Sequence, residues 1–558
     1  MQKLPIGMSD FKEMIEENYY YIDKTNMISE VIDNSSKVIL LPRPRRFGKT
    51  LNLSMLRYFF DIEEDNRELF THLNIHNNQD IMKYANKYPI IYLTFKDIKE
   101  NDFQRSLEKI YSLIREEFGR YKNIIMQIID RVDDEEKNNY YQIINNQASQ
   151  VQYENSIKLL SKLLKLAYNQ KAIVLIDEYD TPIQTGFIKG YYEDIVGFFK
   201  TFMGAVLKDN DVNIFKAVLT GILRVSKESI FSDLNNIKVY TLLDKEFSDK
   251  FGFIKDEVKT LLENYDLLDK YKEVNEWYNG YNIGGTTILN PWSILNYVDS
   301  KATLDVYWAN TSSNDIIRVL VENSDIFRDD LKYLLKGQSV EKVINPNITF
   351  KDKDFNFNEE MLYSFLFFSG YLKCIDREFR DGEHYCKLEI VNKECFYIFK
   401  KIISNWVSES FTQPKIRLLL KSLTDGDIRL FERVFSDFVR DTLSFYDTGK
   451  KVEAVYHAFF LGLLVNLNDY EVVSNAEAGY GRVDIMLFHK SDKKKLAIII
   501  ELKTIDDFIE ETKEKALLSA VNQIQEREYI SSVRKRGYDN ILAFGVVFDG
   551  KRVWIEEV

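Results

Sequence analysis

Apolar positions in the first 240 residues group into short runs that are separated by segments with helical periodicity. Segments with helical periodicity include 50–61, 103–119 and 155–168. Strands that are apolar on both faces and alternate with helices are typical of a parallel sheet covered on both sides. The pattern therefore predicts an α/β domain built on a parallel sheet. The predicted strands are 37–42, 89–95, 172–178, 214–221 and 238–244.

The pattern changes twice further along the chain. From about residue 250 to 445 it is mostly helical. There a helix at 361–372 and a hairpin at 384–395 would suit a winged-helix-like lid. A last α/β segment follows the boundary near 440–450, and Asp549-Gly550 in it predicts a tight hairpin. Its predicted elements are helices at 451–466 and 506–530 and strands at 470–474, 482–488, 496–504 and 540–548.

A chain of 558 residues is too long for one compact core. The pattern predicts three domains: a P-loop domain at 1–245, a mostly helical region at 246–445 and an α/β domain at 446–558. The net charge of −12 argues against a generally basic surface for nucleic acid. Residues 450–558 are close to neutral, with 16 basic and 18 acidic side chains.

No apolar run reaches the ~20 residues needed to cross a bilayer, and residues 1–30 lack a secretory signal pattern. The expected location is the cytoplasm, without a membrane partner. The three cysteines, Cys374, Cys386 and Cys395, form no CxxC pair, and a zinc site is not expected.

A phosphate-binding loop is predicted between the first strand and the helix that follows it. Gly48-Lys49-Thr50 has the form of the end of a Walker A motif, and Arg46 and Phe47 complete the loop. Lys49 would reach the β- and γ-phosphates of ATP, and the Thr50 hydroxyl would bind Mg²⁺. The motif usually has glycine at the position of Arg43.

A second motif strengthens this interpretation, because the strand 172–178 ends in Asp177-Glu178. Asp177 would hold Mg²⁺, and Glu178 would orient or activate the attacking water. Acidic residues also end parallel strands simply because they meet solvent there. At the end of the next strand, Thr220 and Arg224 are candidates for contacts to the γ-phosphate. A strand-end threonine and a surface arginine explain these two residues equally well.

These motifs resemble a known family. The segments 6–14, 20–25, 43–50, 175–183 and 219–236 are similar to those of the AAA-ATPase-like family of bacterial proteins. Members of that family commonly lack the first glycine of the loop. Its members are often fused to a PD-(D/E)XK nuclease-like domain.

The C-terminal segment carries the signature of such a domain. Asp484 lies on one predicted strand, and Glu501 and Lys503 lie on its hairpin partner, in a D–x16–E–x–K pattern. Strand alternation turns Glu501 and Lys503 to the same face. The two carboxylates would bind Mg²⁺, and Lys503 would steady the hydroxide or the phosphorus. The alternative is ordinary solvation of charged residues at a strand end.

Residues 452–464 and 474–485 and the helix bearing Gln523 also resemble the PD-(D/E)XK domain, a restriction-endonuclease-like fold. This resemblance adds Glu453 and Glu477 as further ligands of metal or water, and Gln523 as a contact to DNA phosphate. His457 on the apolar helix is better explained by packing than by a role as a base.

The leading hypothesis is an ATPase whose nucleotide state controls Mg²⁺-dependent cleavage of nucleic acid, with DNA as the expected partner. The alternative is a nucleotide-dependent switch or scaffold that uses the nuclease fold for binding only. A third hypothesis is an ATPase motor without a nuclease role. P-loop proteins of this kind often assemble, so a homo-oligomer is an additional expectation.

Overall fold

A computed structural model describes most of the chain, and its residues pack as two compact units. The first unit comprises Met1–Ile316, Glu341–Asp354 and Glu360–Glu394, and the second comprises Ile317–Val340, Phe355–Glu359 and Cys395–Val558. The three-domain division expected from the sequence stays a prediction. The described residues are 2–208, 210–223, 230–231, 236–308, 325–335, 337–346, 359–409, 413–442, 460, 463–464, 467, 469–478, 481–505, 512–550 and 552–558.

The first unit contains a parallel sheet, and its strands are those that the apolar runs predict. Within the described residues the strand order is β2-β3-β4-β1-β5. Every residue of β1 and β3 is buried, as expected when helices cover both faces of a sheet. The strands are β1 (Val38–Pro42), β2 (Ile90–Thr94), β3 (Ala172–Asp177), β4 (Ile214–Gly221) and β5 (Ile237–Val239).

Helices surround this sheet and continue beyond it in the first unit. The helices predicted at 50–61, 103–119 and 155–168 are confirmed as α3, α5 and α9 within one residue at each end. The helices are α1 (Phe11–Glu16), α2 (Asn26–Asp33), α3 (Lys49–Phe60), α4 (Gln79–Met82), α5 (Phe103–Arg120), α6 (Lys122–Ile128), α7 (Asp134–Ile144), α8 (Gln150–Glu154), α9 (Ser156–Tyr168), α10 (Thr181–Lys189), α11 (Tyr192–Leu207), α12 (Lys255–Asn264), α13 (Tyr271–Tyr278) and α14 (Pro291–Asp299). Short 3-10 helices span Arg67–Phe70, Asn74–Asn77, Ile129–Arg131 and Leu268–Lys270.

A smaller subdomain of the first unit combines α12, α13 and α14 with a three-stranded sheet. The strands are β6 (Phe253–Ile254), β7 (Asn279–Ile283) and β8 (Thr286–Leu289), in the order β6-β8-β7. Its apolar core includes Val258, Leu261, Tyr278 and Tyr297, and Leu4 and Tyr20 from the N-terminal segment pack against it. The N-terminal segment is thereby fixed beside α14.

The hairpin predicted at 384–395 lies earlier in the chain than expected. The structure has α15 (Asp325–Leu335), β9 (Val340–Val343), α16 (Glu359–Phe368), β10 (Leu372–Arg380) and β11 (Glu383–Ile390). Gly370 ends the helical run because it has a positive φ of 87°. Asp381 and Gly382, both at positive φ, form the two-residue turn between β10 and β11. The comparison with a winged helix stays a prediction.

The second unit contains a mixed sheet between two helical layers. Its order is β12-β13-β14-β15-β16, and only β14 and β15 pair in parallel among the described residues. The predicted helix at 506–530 is instead two helices, because Glu528 adopts a left-handed backbone with φ 55°. The elements are α17 (Lys393–Glu409), α18 (Gln413–Asp425), α19 (Ile428–Thr442), β12 (Tyr470–Ala478), β13 (Gly481–His489), β14 (Ala497–Thr504), α20 (Lys513–Glu526), α21 (Tyr529–Lys535), β15 (Ile541–Asp549) and β16 (Arg552–Glu557).

The predicted strands of this segment and the Asp549-Gly550 hairpin are confirmed. Of the predicted helix at 451–466, most residues lie outside the described part of the chain. Among the described residues, no helix is both long enough and apolar enough to span a membrane.

Glu394, a buried carboxylate of the first unit, connects helix α14 to the segment that contains Trp308. Glu394 is fully buried, and its oxygens accept hydrogen bonds from the Trp308 N–H at 2.6 Å and the Ser293 hydroxyl at 2.7 Å. Burial raises the pKa of Glu394 to about 7, although these hydrogen bonds act in the opposite direction. Because Ser293 belongs to α14, Glu394 holds this helix against the segment that contains Trp308.

Glu394→Gln is expected to change how stability depends on pH. A raised folded-state pKa means that the contribution of Glu394 is fully present below its unfolded pKa of about 4.5 and is lost as pH rises toward 7. The free energy of unfolding of the variant should therefore rise by about 1–3 kcal/mol relative to that of the original chain between pH 5 and pH 8. Urea unfolding followed by tryptophan fluorescence measures this. The exposed Glu263→Gln serves as the control, and an equal pH dependence of both variants would contradict the expectation.

Candidate functional site

The loop between β1 and α3 curls at two residues with left-handed backbone. Arg46 has φ 65°, and Gly48, which precedes the first residue of α3, has φ 81°. Left-handed residues in a turn allow successive backbone N–H groups to face one concavity, and the N-terminus of a helix also attracts anions. The loop that the GKT motif predicts therefore has the local geometry of an anion-binding turn.

The side chains of Thr50, Asp177 and Thr220 meet at the carboxyl edge of the sheet. The Thr50 hydroxyl donates to Asp177 Oδ2 at 2.7 Å, and the Thr220 hydroxyl donates to Asp177 Oδ1 at 2.6 Å. This contact follows from the strand order, because β4 lies between β1 and β3 and carries Thr220 to the position beside Asp177. Three residues from separate motifs thus form one hydrogen-bonded cluster.

Burial dominates the electrostatics of this cluster. Asp177 is fully buried, and burial raises its pKa, as does the neighbouring Glu178 carboxylate. The two threonine hydroxyls and Lys49 lower the pKa and thus oppose this effect. A buried carboxylate beside a hydroxyl is an oxygen-rich donor set of the kind that Mg²⁺ prefers. The residues therefore fit a divalent cation at this point.

Lys49 lies under the loop. Its ammonium donates to the carbonyl oxygens of Arg43 at 3.1 Å and Pro44 at 3.0 Å, and only 4% of the residue is exposed. Burial lowers the pKa of Lys49, while Glu178 and Asp177 raise it. Glu178 itself has a left-handed backbone with φ 49° and accepts a hydrogen bond from the Thr181 hydroxyl. Non-glycine residues in this conformation carry strain that is found at functional sites.

Arg43 takes the position of the usual first glycine and has a structural contact set of its own. Its buried guanidinium donates to the carbonyl oxygens of Pro42 at 2.8 Å, Tyr240 at 2.7 Å and Phe247 at 3.1 Å. It also lies over the Phe251 ring at 5.1 Å. Burial lowers the pKa of Arg43 to about 10. The side chain ties the start of the loop to the segment after β5.

The other loop residues contact the smaller subdomain. Phe47 is buried and packs edge-on against Tyr281 at 4.8 Å, and its carbonyl accepts the Gly252 N–H at 3.1 Å. Its side chain is therefore part of the core. The guanidinium of Arg46 lies 4.3 Å from the centre of the Trp292 ring in α14. This contact joins the loop to the helix that Glu394 holds.

Two residues that the sequence motifs did not single out shape the end of β4. Asp180 is buried, and its Oδ2 accepts the N–H groups of Ile222 at 3.0 Å and Leu223 at 2.9 Å. The Tyr179 hydroxyl donates to the Leu223 carbonyl at 2.7 Å. The sequence signal for Asp180 is its position as the second aspartate of the run Asp-Glu-Tyr-Asp at 177–180. Arg224 follows this clamped segment directly and lies outside the described residues.

A cavity of about 550 Å³ opens beside this cluster. Its lining includes loop residues 45–52, Glu178, residues of α10, Lys96 and Lys99. Met8, Tyr20 and Ile22 of the N-terminal segment and Trp292 and Leu295 of α14 also line it. The N-terminal segment is held by α3, because the Phe11 N–H donates to the Ser54 hydroxyl at 2.9 Å. The cavity has the size range of small-molecule and cofactor sites.

In the second unit, the structure brings Asp484, Glu501 and Lys503 together across β13 and β14. Asp484 Oδ2 accepts the Leu502 N–H at 3.0 Å, and the Asp484 N–H points to Glu501 Oε2 at 3.5 Å. The Lys503 ammonium lies 3.8 Å from Glu501 Oε1. Glu501 is only 2% exposed, so its charge needs compensating partners. Two adjacent carboxylates fit a hard cation such as Mg²⁺.

Gln523 reaches Glu501 because a helix approaches the sheet closely. Gly545 in β15 pairs with Glu501, and a Cβ atom added to Gly545 would lie 2.6 Å from the Ala520 Cβ of α20. Gln523 follows Ala520 by one helical turn, and its side-chain amide donates to Glu501 Oε1. The residue expected to contact DNA phosphate is thus a hydrogen-bond partner of the carboxylate.

An open groove of about 670 Å³ runs along α20 beside these residues. Its lining includes the basic side chains Arg482, Lys515 and Arg527 with the acidic Glu526. Of the two accessory acids, Glu453 lies outside the described residues. The backbone of Glu477 pairs with Arg482 in β12 and β13, and its side chain is outside the described part.

Two family models match parts of the chain. Residues 5–231 match the AAA-ATPase-like family model, described as "Predicted AAA-ATPase", and residues 451–558 match the PD-(D/E)XK nuclease superfamily model. The two matches agree with the fusion that the resemblance predicts. Families of these two kinds generally use nucleotide and Mg²⁺.

One relative is the uncharacterized protein in the vnfD 5′ region of Azotobacter chroococcum mcd 1. It is 28% identical over 342 residues, which are 60% of this chain and 59% of that protein. The match therefore spans little more than half of each protein.

Arg43→Gly restores the usual first glycine of the loop but is expected to destabilise the first unit. Three buried carbonyl oxygens would lose their charged donor, and the side chain would leave a cavity. The expected loss is about 2–4 kcal/mol in the free energy of unfolding. Urea unfolding measures it, with Arg43→Lys expected to be intermediate. Equal stability of Arg43→Gly and the original chain would show that these contacts do not matter.

Proposed function

We propose that this protein is an ATPase whose nucleotide state controls a Mg²⁺-dependent nuclease-type domain acting on DNA. The observation that carries the proposal is the cluster of Thr50, Asp177 and Thr220, which three separated motifs contribute to one point. The group of Asp484, Glu501 and Lys503 supports the second activity. The proposal includes a cytoplasmic location, since ATP and DNA meet there in bacteria, and assembly into a homo-oligomer.

The phosphates of ATP would lie over the 43–48 loop and the start of α3. Lys49 would exchange its contacts with loop carbonyls for the β- and γ-phosphate oxygens. Thr50 and Asp177 would hold Mg²⁺, which neutralises charge on the β- and γ-phosphates when bound. Glu178, at the end of β3, would accept a proton from the attacking water.

The nucleoside would contact the apolar and aromatic residues of the cavity lining. These include Met8, Tyr20 and Ile22 of the N-terminal segment and Trp292 and Leu295 of α14. Apolar and aromatic walls suit a purine ring, which presents two flat apolar faces. Because Trp292 also contacts Arg46, nucleotide binding would change the contact between the loop and α14.

At the second site, Asp484 and Glu501 would hold Mg²⁺, which lowers the pKa of a bound water and stabilises charge on the scissile phosphate. Lys503 would donate to that water or to a phosphate oxygen. Gln523 would act as a positioning residue, since its amide fixes one oxygen of Glu501. Arg482, Lys515 and Arg527 would contact backbone phosphates of a strand lying along the groove.

The ATPase half of the proposal predicts separable effects of two variants. Lys49→Ala should weaken ATP binding at least tenfold, because it removes the cation beneath the loop. Glu178→Gln should retain binding and hydrolyse ATP on the order of 100-fold more slowly, because it removes the proton acceptor. Fluorescent nucleotide titration and phosphate release measure these quantities. The exposed Lys87→Ala is the control, and wild-type hydrolysis no faster than that of Glu178→Gln would refute the ATPase assignment.

The nuclease half is tested with linear and circular DNA, with Mg²⁺, and with and without ATP. Glu501→Ala should abolish cleavage, Gln523→Ala should reduce it on the order of tenfold, and Lys49→Ala should alter its dependence on ATP. Glu556→Gln, an exposed acid on β16, is the control. Circular dichroism establishes that each variant is folded. No cleavage by the original chain, together with intact nucleotide binding, would favour the switch or scaffold alternative.

A further inference from the structure

The cavity beside the 43–48 loop carries more positive side chains than the loop motif requires. Several of them already have partners in the protein. The Lys24 ammonium contacts Glu257 at 2.6 Å, and that of Lys250 contacts Glu30 at 3.0 Å. Lys49 binds loop carbonyls, Arg46 lies over Trp292, and Arg45 also has a partner within the protein. These contacts leave a second group of cations in the lining to explain.

That second group consists of Lys96, Lys99 and Lys189, and all three side chains are exposed. The structure gives none of them an ion pair within the described residues. Apart from Glu178, Asp97 is the one acid among the described residues of the lining. A group of exposed cations at the mouth of a cavity lowers the free energy of an anion that enters it.

The position of Lys96 is set by the register between β2 and β3. Thr94 pairs with Asp177, and the Phe95 N–H donates to the Asp177 carbonyl at 3.0 Å. Phe95 is fully buried and packs edge-on against Phe199 at 5.2 Å. The backbone is therefore fixed one residue before Lys96, at the edge of the sheet where Glu178 leaves β3.

We propose that Lys96 is a further catalytic residue, a cation that acts on the γ-phosphate within the same chain. This inference rests on the proposed ATPase function. Neighbouring strands lie about 4.8 Å apart, so the end of β2 is one spacing from the end of β3. Because β2 lies on the side of β3 away from β1, the ammonium of Lys96 would approach the γ-phosphate from the side opposite Lys49.

In the reaction, the water oxygen forms a bond to the γ-phosphorus as the bond from phosphorus to the β–γ bridging oxygen breaks. The bridging oxygen keeps the electron pair and leaves on ADP, and the water gives its proton to Glu178. Negative charge spreads over the γ-phosphoryl oxygens during this step. Lys96 would neutralise part of that charge, which is the task of the arginine finger in related phosphoryl transfers.

The contribution of Lys96 is expected to be selective for the transition state. Exposed charges interact weakly in water, so Lys96 adds little to the binding of ADP, which lacks the γ-phosphate. Once the triphosphate fills the cavity and excludes water, the same charge acts more strongly on the reacting group. Lys99 and Lys189 are not tied to the strand that ends beside Glu178, because among the described residues no hydrogen bond to β3 fixes the residue before either of them.

The test compares Lys96→Ala, Lys96→Arg, Lys99→Ala and Lys189→Ala in the full-length protein, with Lys87→Ala as the control. Steady-state hydrolysis gives kcat and KM, and titration gives the affinities for ADP alone and for ADP with aluminium fluoride. We expect Lys96→Ala to lower kcat by about tenfold or more, with ADP affinity unchanged. Affinity for the aluminium fluoride complex should fall in parallel with kcat, and Lys96→Arg should restore both.

Three results would overturn the assignment. The first is a kcat for Lys96→Ala equal to that of Lys87→Ala. The second is a loss of ADP affinity in Lys96→Ala as large as its loss of kcat, and the third is a larger loss of kcat in Lys99→Ala or Lys189→Ala than in Lys96→Ala. Failure of the underlying function has a different signature. In that case the original chain would hydrolyse ATP no faster than Glu178→Gln, and the role of Lys96 would fall with it. If the original chain and Lys96→Ala both hydrolyse ATP equally well, the role of Lys96 is rejected and the ATPase function is retained.

Discussion

A buried carboxylate must be compensated, and the first unit is organised around this requirement at Asp177. Its two oxygens accept hydrogen bonds from Thr50 and Thr220, which come from different strand–helix units. The strand order β2-β3-β4-β1-β5 is what allows both hydroxyls to reach one side chain. Without these partners, burial would leave the charge uncompensated at considerable cost in free energy. The cluster thus couples the formation of the sheet to the formation of the candidate site.

The same principle operates in the surroundings of the loop. Arg43 binds carbonyl oxygens on the segment after β5, Asp180 binds backbone N–H groups at the end of β4, and Glu394 joins α14 to Trp308. Each of these buried charges satisfies backbone groups that lie far away in the chain. Such contacts fix loops that lack regular secondary structure, so the loop at residues 43–48, the end of β4 and helix α14 are held in defined positions around the cavity.

In the second unit, close packing brings a hydrogen-bond partner to the buried carboxylate of Glu501. The small residues Gly545 and Ala520 let α20 approach the sheet, and Gln523 then reaches the buried carboxylate of Glu501. The pair of carboxylates lies on a hairpin whose strands are buried on both faces, which gives the candidate metal ligands a rigid support. In both units, therefore, a hydrogen-bonded acid on a strand is supported by neighbouring elements.

Periodicity by itself determined the parallel sheet of the first unit, the strands of the last segment and the helices at 50–61, 103–119 and 155–168, because apolar burial imposes local patterns. The motif spacing also indicated Asp177, Asp484, Glu501 and Lys503. Local patterns contain no information about contacts between distant segments, so the roles of Arg43 and Asp180 and the Gln523–Glu501 hydrogen bond required the tertiary structure. The apolar run at 384–395 predicts a hairpin there, whereas the left-handed pair Asp381-Gly382 forms the turn and sets the hairpin at residues 372–390. Strand order, finally, is decided by packing of the whole sheet, and it alone brings Thr220 to Asp177 and Lys96 to the edge beside Glu178.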